Sequence, residues 1–155
     1  MIKTVKIDKD HSVTLSNNIG WMFIYRDQFG RDIVPTIVPV LNAGIDLIFA
    51  AYKATGGKID KTIFEKIDPD EVTSAMWSAA GIEAVDLLNI VWAMAKNADE
   101  GIPEPREFFA GFDTFPVDVV FPAAFELLYK GLISGKNLKR LQEAAAGLKP
   151  SNLTK

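Results

Sequence analysis

The residue types that most often perform catalysis are scarce in this chain. It has 155 residues, with no cysteine and a single histidine, His11. Hydrolytic and acid–base mechanisms need a nucleophile beside a base, and histidine is the usual base at neutral pH. His11 ends the polar run Asp8-Lys9-Asp10-His11, and the chain contains no serine elbow motif. We therefore interpret His11 as a solvated turn residue and expect a protein that is not an enzyme.

Two groups of acidic residues have side chains of the type that binds a hard cation. Asp68, Asp70 and Glu71 form one group, and Asp8 and Asp10 form the other. Neither group has the ligand count of a calcium-binding loop. Helix capping accounts for the first group and turn formation for the second. We expect no metal site.

A glycine–lysine pair raises the question of phosphate binding. The run Thr55-Gly56-Gly57-Lys58 lacks the spacing of a phosphate-binding loop, and Ile59 stands where that loop has Ser or Thr. No G-x-G-x-x-G motif opens a helix after a strand, so a dinucleotide-binding fold is not indicated. We interpret the glycines as the end of a helix and expect no cofactor.

The chain contains many large aromatic side chains for which we expect no catalytic role. Helical spacing places one set in the core, namely Trp21, Trp77, Trp92, Phe121 and Phe125. A second set stands beside a proline-rich loop, and exposed aromatic residues mark interfaces. These are the candidate partner-binding residues: Phe108, Phe109, Phe112 and Phe115.

The overall composition favours one globular domain in the cytoplasm. Hydrophobic residues make up 48% of the chain and charged residues 24%, which supports a sizeable core. The formal net charge is −3, with both signs spread along the chain, so no basic surface is available for nucleic acid. The lack of cysteine removes any need for an oxidising compartment, and the N-terminus has no signal-peptide pattern.

The N-terminal region predicts a hairpin followed by two helices joined at a tight corner. Alternating apolar residues around the polar run 8–11 predict two strands within residues 1–15, which must pack on helices or extend a neighbouring subunit's sheet. Residues 16–18 supply acceptors for the free amides of a first helix. Gly30 is placed to end that helix in a left-handed conformation, and Asp32 is placed to cap the next helix.

The stretch 33–51 is apolar enough to raise the question of a membrane span. Two prolines, Asn42 and Asp46 interrupt it, and an aspartate near the centre of a span costs ~3 kcal/mol. We expect a core helix instead, with Pro39 causing a kink or a late start. The predicted inward face consists of Ile37, Leu41, Ile45, Ile48 and Tyr52.

The run Asp68-Pro69-Asp70-Glu71 marks the start of another helix. It combines a cap, a proline in the first turn and acids at the positive end of the helix dipole. The pattern predicts one long helix to about Asn97, whose apolar second half lies in the centre of the core. Residues 99–105 predict a surface loop. The inward positions of the long helix are Val72, Met76, Ala80, Leu87, Val91 and Ala95.

The sequence predicts a mainly α fold with several helices in a single domain and a small N-terminal β-hairpin. The last helix is capped by Asp113 or Thr114, is bent at Pro122 and carries the apolar stripe Phe121, Phe125, Leu128 and Leu132. The domain extends over residues 1–135. Residues 136–155 predict a basic, flexible tail.

The corner between the first two helices resembles an element of a known family. The run Tyr25-Arg26-Asp27-Gln28-Phe29-Gly30-Arg31-Asp32-Ile33 follows the pattern Y-R-x-x-F-G-x-D-I. This pattern resembles a recurring element of tail assembly chaperones from siphophages and prophages of Gram-positive bacteria. The later run Phe112-Asp113-Thr114-Phe115-Pro116 resembles the element that precedes an apolar helix in that family. The signature residues are Tyr25, Arg26, Phe29, Gly30 and Asp32.

The resemblance implies a nonstructural phage protein in the cytoplasm of the host bacterium. Members of the family bind the tape measure protein, keep that long hydrophobic chain soluble, and leave as tail tube subunits polymerise around it. They tend to self-associate into rings or spirals. The expected partners are therefore the tape measure protein, the tail tube protein and further copies of the chain, with no nucleic acid and no membrane among them.

Two other interpretations stay open. One is a structural or connector protein of the virion tail, whose hairpin and aromatic residues pack against neighbouring subunits. The other is a small helical enzyme or ligand-binding domain that uses Tyr25, Arg26 and Asp32. Titratable groups with strongly shifted pKa values in a deep cleft would favour that second interpretation.

Overall fold

The computed structural model describes residues 1–57, 63–79 and 82–132. A hairpin of β1 (Ile2–Lys6) and β2 (Ser12–Ser16) comes first. It is followed by α1 (Gly20–Phe29), α2 (Val34–Ala54), a 3-10 turn (Ile63–Lys66), α3 (Pro69–Ser78), α4 (Ala84–Ala98), α5 (Pro105–Ala110) and α6 (Val117–Leu132). The predicted fold class, mainly helical with an N-terminal hairpin, is confirmed.

One face of the hairpin packs on the helices. The strands are antiparallel, with Val5 opposite Val13 and Lys3 opposite Leu15. Val5, Val13 and Leu15 are buried. β2 contacts α4 and β1 contacts α6. Because two strands alone are only marginally stable in water, these contacts hold the hairpin, as predicted.

The corner between α1 and α2 forms as the sequence predicts. Asn18 Oδ1 accepts the N–H of Gly20 at 3.1 Å at the start of α1. Gly30 ends α1 with a φ of 68°, and a Cβ at this position would meet no atom within 4 Å. Glycine is therefore favoured for its backbone conformation. The Asp32 carboxylate accepts the N–H of Val34 at 3.0 Å, which satisfies one free amide of α2.

The core is centred on α4 and α6. Residues 89–95 of α4 are all buried, which confirms the position predicted for this apolar segment. The predicted cap of α6 is wrong, because the helix begins at Val117 and not directly after Asp113 or Thr114. The Pro116 carbonyl instead accepts the N–H of Val120 at 3.0 Å. The predicted stripe is buried at Phe121, Phe125 and Leu128 and half-buried at Leu132.

The single long helix predicted from Asp68 to about Asn97 is wrong. α3 ends at Ser78, Ala79 is extended with a ψ of 126°, and α4 begins at Ala84. The Asp86 carboxylate accepts the N–H of Glu83 at 3.4 Å, so an acid in the first turn of α4 satisfies an amide at its start. The inward positions predicted on each side of the break are nevertheless buried, namely Val72, Met76, Leu87, Val91 and Ala95.

The helix α2 begins at Val34 and continues through Pro39, so of the two effects predicted for Pro39 the late start is wrong and the kink stays a prediction. Its buried face is rotated from the predicted one and consists of Ile37, Val40, Gly44, Ile48 and Ala51. Leu41, Ile45 and Tyr52 are half-buried. The rotation follows from Gly44, where α2 approaches the Phe125 ring of α6.

Two sequence predictions fall on residues outside the described ones. They are the basic tail 136–155 and the inward position of Ala80.

Candidate protein-binding surface

The outward side of α1 carries apolar side chains that no other described element covers. Ile19 is 64% exposed and Phe23 is 55% exposed. Both line a shallow groove of about 270 Å³ together with Met22, Arg26, Asp32 and Ile33. Val34 and Val38, one turn apart at the start of α2, are each 45% exposed. We call Ile19, Phe23, Val34 and Val38 the α1–α2 surface.

The opposite side of α1 fixes this surface in place. Trp21 and Tyr25 are buried. The Phe29 ring lies 4.7 Å from the Tyr25 ring and 5.7 Å from the Trp92 ring of α4. Because α1 is anchored through these aromatic residues, Ile19 and Phe23 are held facing outward.

The helix α2 is 21 residues long, and beyond Val38 its exposed residues are Asn42, Asp46, Ala50, Lys53 and Ala54. Among the described helices, α2 alone is long and apolar enough to cross a membrane by length and composition. Its most apolar 18-residue window has a mean hydropathy of 1.7, and only 22% of that window is buried. The core helix of a soluble protein also passes this test of length and composition, but such a helix is mostly buried. The prediction of a core helix with one inward face therefore holds, although the buried face is rotated from the predicted one.

The charged signature residues lie at the rim of the groove. The Arg26 guanidinium is 5.4 Å from the centre of the Phe23 ring and 3.6 Å from the Asp27 carboxylate. Arg26 is exposed while Tyr25 is turned into the core, so the groove contains Arg26 and Asp32 but not Tyr25. The three residues considered for a catalytic pocket therefore do not line one common cavity. Burial raises the pKa of Tyr25.

A second anchor joins the corner to α4. Arg31 forms an ion pair with Asp86, whose side chain is only 9% exposed. Gln28 donates a hydrogen bond of 2.6 Å to Glu104, in the loop before α5. These contacts link the corner between α1 and α2 to α4 and to the loop before α5.

The predicted partner-binding phenylalanines pack mainly against one another. Neighbouring ring centroids within Phe108, Phe109, Phe112 and Phe115 lie 5.0–5.5 Å apart. Phe108 is 6% exposed and the other three are half-buried. Phe108 thus offers almost no area to a partner. Phe109, Phe112 and Phe115 stay predictions as contact residues.

The loop before these phenylalanines is fixed by donors from α4. Trp92 Nε1 donates to the Pro103 carbonyl at 2.8 Å. Lys96 Nζ donates to the carbonyls of Glu100 and Ile102 at 2.7 and 2.6 Å. The predicted surface loop is present up to Glu104, but its backbone is held by α4, and Pro105 begins α5, a helix that the sequence did not predict.

One residue assigned to the core is exposed. Trp77, on α3, has 42% of its surface exposed, and its ring lies 5.1 Å from the Phe121 ring. The expectation of a buried Trp77 is wrong, because α3 ends at Ser78 and its last turn lies at the surface. Trp21, Trp92, Phe121 and Phe125 are buried as expected.

The groups considered for chemistry lie in turns and caps. His11 is exposed, and its Nδ1 is 2.8 Å from the Asp8 carboxylate. Hydrogen bonds from the Asp10 amide and from His11 lower the pKa of Asp8. Asp68 accepts the N–H of Asp70 at 2.9 Å, as expected for a helix cap. No group of three or more His, Asp or Glu residues within the described ranges is arranged to hold a metal ion.

The α1–α2 surface was missed by the reasoning from sequence. Its signal is present in the spacing, because Ile19 and Phe23 are four residues apart, as are Val34 and Val38. Residues at this spacing share one side of a helix. They lie on sides different from those that carry the core residues, so each helix is apolar on two sides.

The chain was compared with protein-family models, with curated proteins and with solved structures. No family model matches it. No curated protein and no solved structure matches it either.

Proposed function

We propose that this protein is a tail assembly chaperone of a long-tailed bacteriophage, which binds the tape measure protein in the host bacterial cytoplasm and keeps it soluble until the tail tube assembles. The observation that carries the proposal is the α1–α2 surface, whose exposed apolar residues lie on α1 and on the first turns of α2. Exposed apolar areas of this kind mark protein interaction sites in soluble proteins. The proposal also rests on the sequence resemblance at residues 25–33.

The shape of the surface suits a helical, apolar client. A helix of 21 residues spans about 30 Å, which is long enough to contact several turns of a partner helix. Amphipathic helices bind hydrophobic grooves through side chains at every third or fourth position. Arg26 and Asp32 stand at the rim of the α1 groove, where polar groups fix the orientation of a bound segment.

The same apolar area provides for self-association. Copies of the chain that cover each other's α2 would remove it from water between client-binding events. Homo-oligomers are therefore part of the proposal. Sedimentation velocity over a range of protein concentrations tests this point, and a monomer at every concentration would contradict it.

Co-expression with the tape measure protein tests the client. We expect the client to be soluble with the wild-type chain and to aggregate without it. The double variant Phe23→Ser, Val38→Ser removes apolar area from the α1–α2 surface without opening the core, because both residues are exposed. We expect it to reduce the soluble fraction of the client several-fold.

The matched control is Val85→Ser. Val85 is 58% exposed at the start of α4 and lies outside the α1–α2 surface. This variant should solubilise the client as well as wild type does. Equal client solubility with and without the protein would contradict the chaperone function. Stoichiometric amounts of the protein in purified virions would favour the connector interpretation instead.

A further inference from the structure

Among the residues that the structure describes, none pairs with the outer edge of the strand β1. Within the described residues the sheet has only two strands, so β1 is paired on one side by β2. Successive residues of an antiparallel strand alternate between bonding to the partner and pointing away from it. The N–H of Ile7 donates to the His11 carbonyl at 2.9 Å, and the N–H of Asn17 donates to the Met1 carbonyl at 3.1 Å. Odd-numbered residues of β1 therefore face β2.

It follows that the even-numbered residues present their backbone groups to the free edge. The N–H and C=O of Ile2, Thr4 and Lys6 point away from β2. These three alternate residues can form backbone hydrogen bonds with an additional strand, either antiparallel or parallel. An edge of this kind is a template for another extended chain.

A cleft of about 560 Å³ lies beside this edge. Lys3, Thr4, Val5 and Lys6 all line it. Neighbouring side chains of a strand point to opposite faces, so four consecutive residues line one cleft only where it follows the strand's edge. The cleft is therefore open to the free backbone groups of β1. We call it the β1 cleft.

The other sides of the β1 cleft are mostly apolar. The wall opposite β1 comes from the 3-10 turn and the start of α3, and the floor comes from α6. Apolar residues of the wall and floor include Phe64, Ile67, Val72, Val119, Pro122 and Phe125. A strand in this position would bury every second side chain against them, as the alternation of an extended chain requires.

Some of the charged residues that line the β1 cleft form ion pairs and others do not. Lys3 and Lys130 both form ion pairs with Glu126. Lys6, Glu65 and Asp118 also line the cleft, are exposed and form no ion pair with any other residue of the described ranges, and of these three only Lys6 lies on β1 itself. Opposite charges at facing positions of neighbouring strands are stabilising. An acidic side chain opposite Lys6 is therefore favoured.

We propose that the β1 cleft binds an extended peptide segment of another polypeptide, which pairs with the free edge of β1 as a third strand. The bound segment directs alternate apolar side chains onto the wall and floor and places a carboxylate opposite Lys6. A single strand fits where a second folded copy does not. The β1 strand of another copy is backed by its own α6, and the 3-10 turn and α3 of this chain already occupy that space. The proposal stands apart from the α1–α2 surface and does not depend on the chaperone function.

Binding of labelled peptides to the full chain tests the proposal. The probe is a fluorescein-labelled hexapeptide of alternating valine and threonine, with either glutamate or lysine at one threonine position. We expect saturable binding by fluorescence anisotropy, with the glutamate peptide preferred. The variant Lys6→Glu should reverse that preference.

The backbone contacts are tested from both sides. Thr4→Pro removes an outward N–H at an edge position that tolerates proline, and it should weaken binding at least about tenfold. Thr4→Val keeps the N–H and should bind like wild type. Two N-methylated peptides extend the test without altering the protein. One is methylated at the amides that would face β1, and the other is methylated at the amides that would face away from it. The first should lose binding and the second should keep it.

Two outcomes would overturn the proposal. One is the absence of saturable binding for the whole peptide panel up to about 1 mM. The other is equal binding of the two N-methylated peptides, since a strand added to an edge uses only one set of its amides. If Thr4→Pro fails to fold, the N-methylated pair decides the question alone.

Discussion

At the scale of single residues, Glu126 connects two elements that are far apart in sequence. Its carboxylate accepts hydrogen bonds from Lys3 of β1 and from Lys130 one turn further along α6. Burial opposes ionisation of Glu126, but the two lysines outweigh it, and the pKa of Glu126 is lowered below its ordinary value of 4.5. The ionised carboxylate therefore helps to hold the hairpin on α6.

The lowered pKa predicts a pH-dependent contribution to stability. A carboxyl whose pKa is lower in the folded state stabilises the fold above its unfolded pKa, and the contribution is lost as pH falls through the folded pKa. The difference in unfolding free energy between wild type and Glu126→Gln should be largest near neutral pH and should shrink below about pH 4.5. Urea denaturation at a series of pH values measures it.

The control for this prediction is Glu100→Gln, an exposed residue of the loop after α4. Its effect should be small at every pH, because surface substitutions change stability by about 0.5 kcal/mol or less. A wild-type-to-Glu126→Gln difference that stays constant from pH 7 to the acid limit would show that the ion pairs do not stabilise the hairpin.

Some residue roles were readable from the sequence and others were not. Gly30, Asp32 and Asp68 were predicted correctly, because caps and left-handed glycines depend on local chemistry. Trp77 was placed in the core because helical spacing does not say where a helix ends in space. The pairing of Arg31 with Asp86 joins positions 55 residues apart, and no local pattern indicates it.

At the scale of elements, α2 and α6 approach each other most closely at a glycine. A Cβ built on Gly44 would lie 2.0 Å from the Phe125 ring, far inside any real contact distance. Phe125 is itself buried, so its ring has little room to move away. Glycine is therefore required at this position for packing, although α-helices generally disfavour it.

Gly44→Ala should destabilise the protein by about 1–3 kcal/mol, the usual cost of overpacking. The sign of the effect is informative, because at an open helix position the same change stabilises by about 0.5–1 kcal/mol. Adding Phe125→Leu should recover part of the loss, which makes the two substitutions non-additive. Thermal or urea unfolding of wild type, Gly44→Ala, Phe125→Leu and the double variant measures this coupling. A stabilised Gly44→Ala variant would mean that α2 does not contact α6 at this point.

Element boundaries were predicted with unequal success. The hairpin, α1 and the start of α3 agree with the sequence, since each has a strong local signal. The break between α3 and α4 was missed because the apolar periodicity continues across it, with Met76 and Leu87 both buried. The rotated face of α2 was missed because Leu41, Ile45 and Tyr52, which are half-buried, are as apolar as the residues that are fully buried, so periodicity alone did not separate the two sets.

At the scale of the whole molecule, the exposed side of α2 could contact either lipid or another protein surface. Two of its features oppose insertion into lipid. Asp46 lies near the middle of the helix, at a cost of ~3 kcal/mol in a bilayer centre. Its buried face also packs on the rest of the described fold, and this packing would have to be given up. Protein surface is the better match.

We therefore predict that the chain does not associate with lipid vesicles. In flotation experiments with vesicles of phosphatidylethanolamine and phosphatidylglycerol, the wild-type protein should remain in the dense fraction. Asp46→Leu removes the charge from an exposed position and should increase vesicle binding. Comigration of the wild type with vesicles would contradict the assignment of α2 to protein contacts.

The candidate site was the least predictable part of the molecule. The sequence drew attention to the phenylalanines at 108–115, but these residues pack largely on one another. The exposed apolar residues of the α1–α2 surface lie instead on the outer sides of α1 and α2. Exposure depends on how several helices pack together, whereas composition reports only that large apolar side chains are present.

The unexpected position of Trp77 gives the chain a built-in optical reporter. The indole rings of Trp21 and Trp92 sit in dry surroundings, whereas that of Trp77 is open to solvent on α3. A soluble quencher such as iodide therefore reaches one fluorophore of the three in the folded chain. Any macromolecule that binds over the end of α3 would protect Trp77 from the quencher, so its binding could be detected without a label.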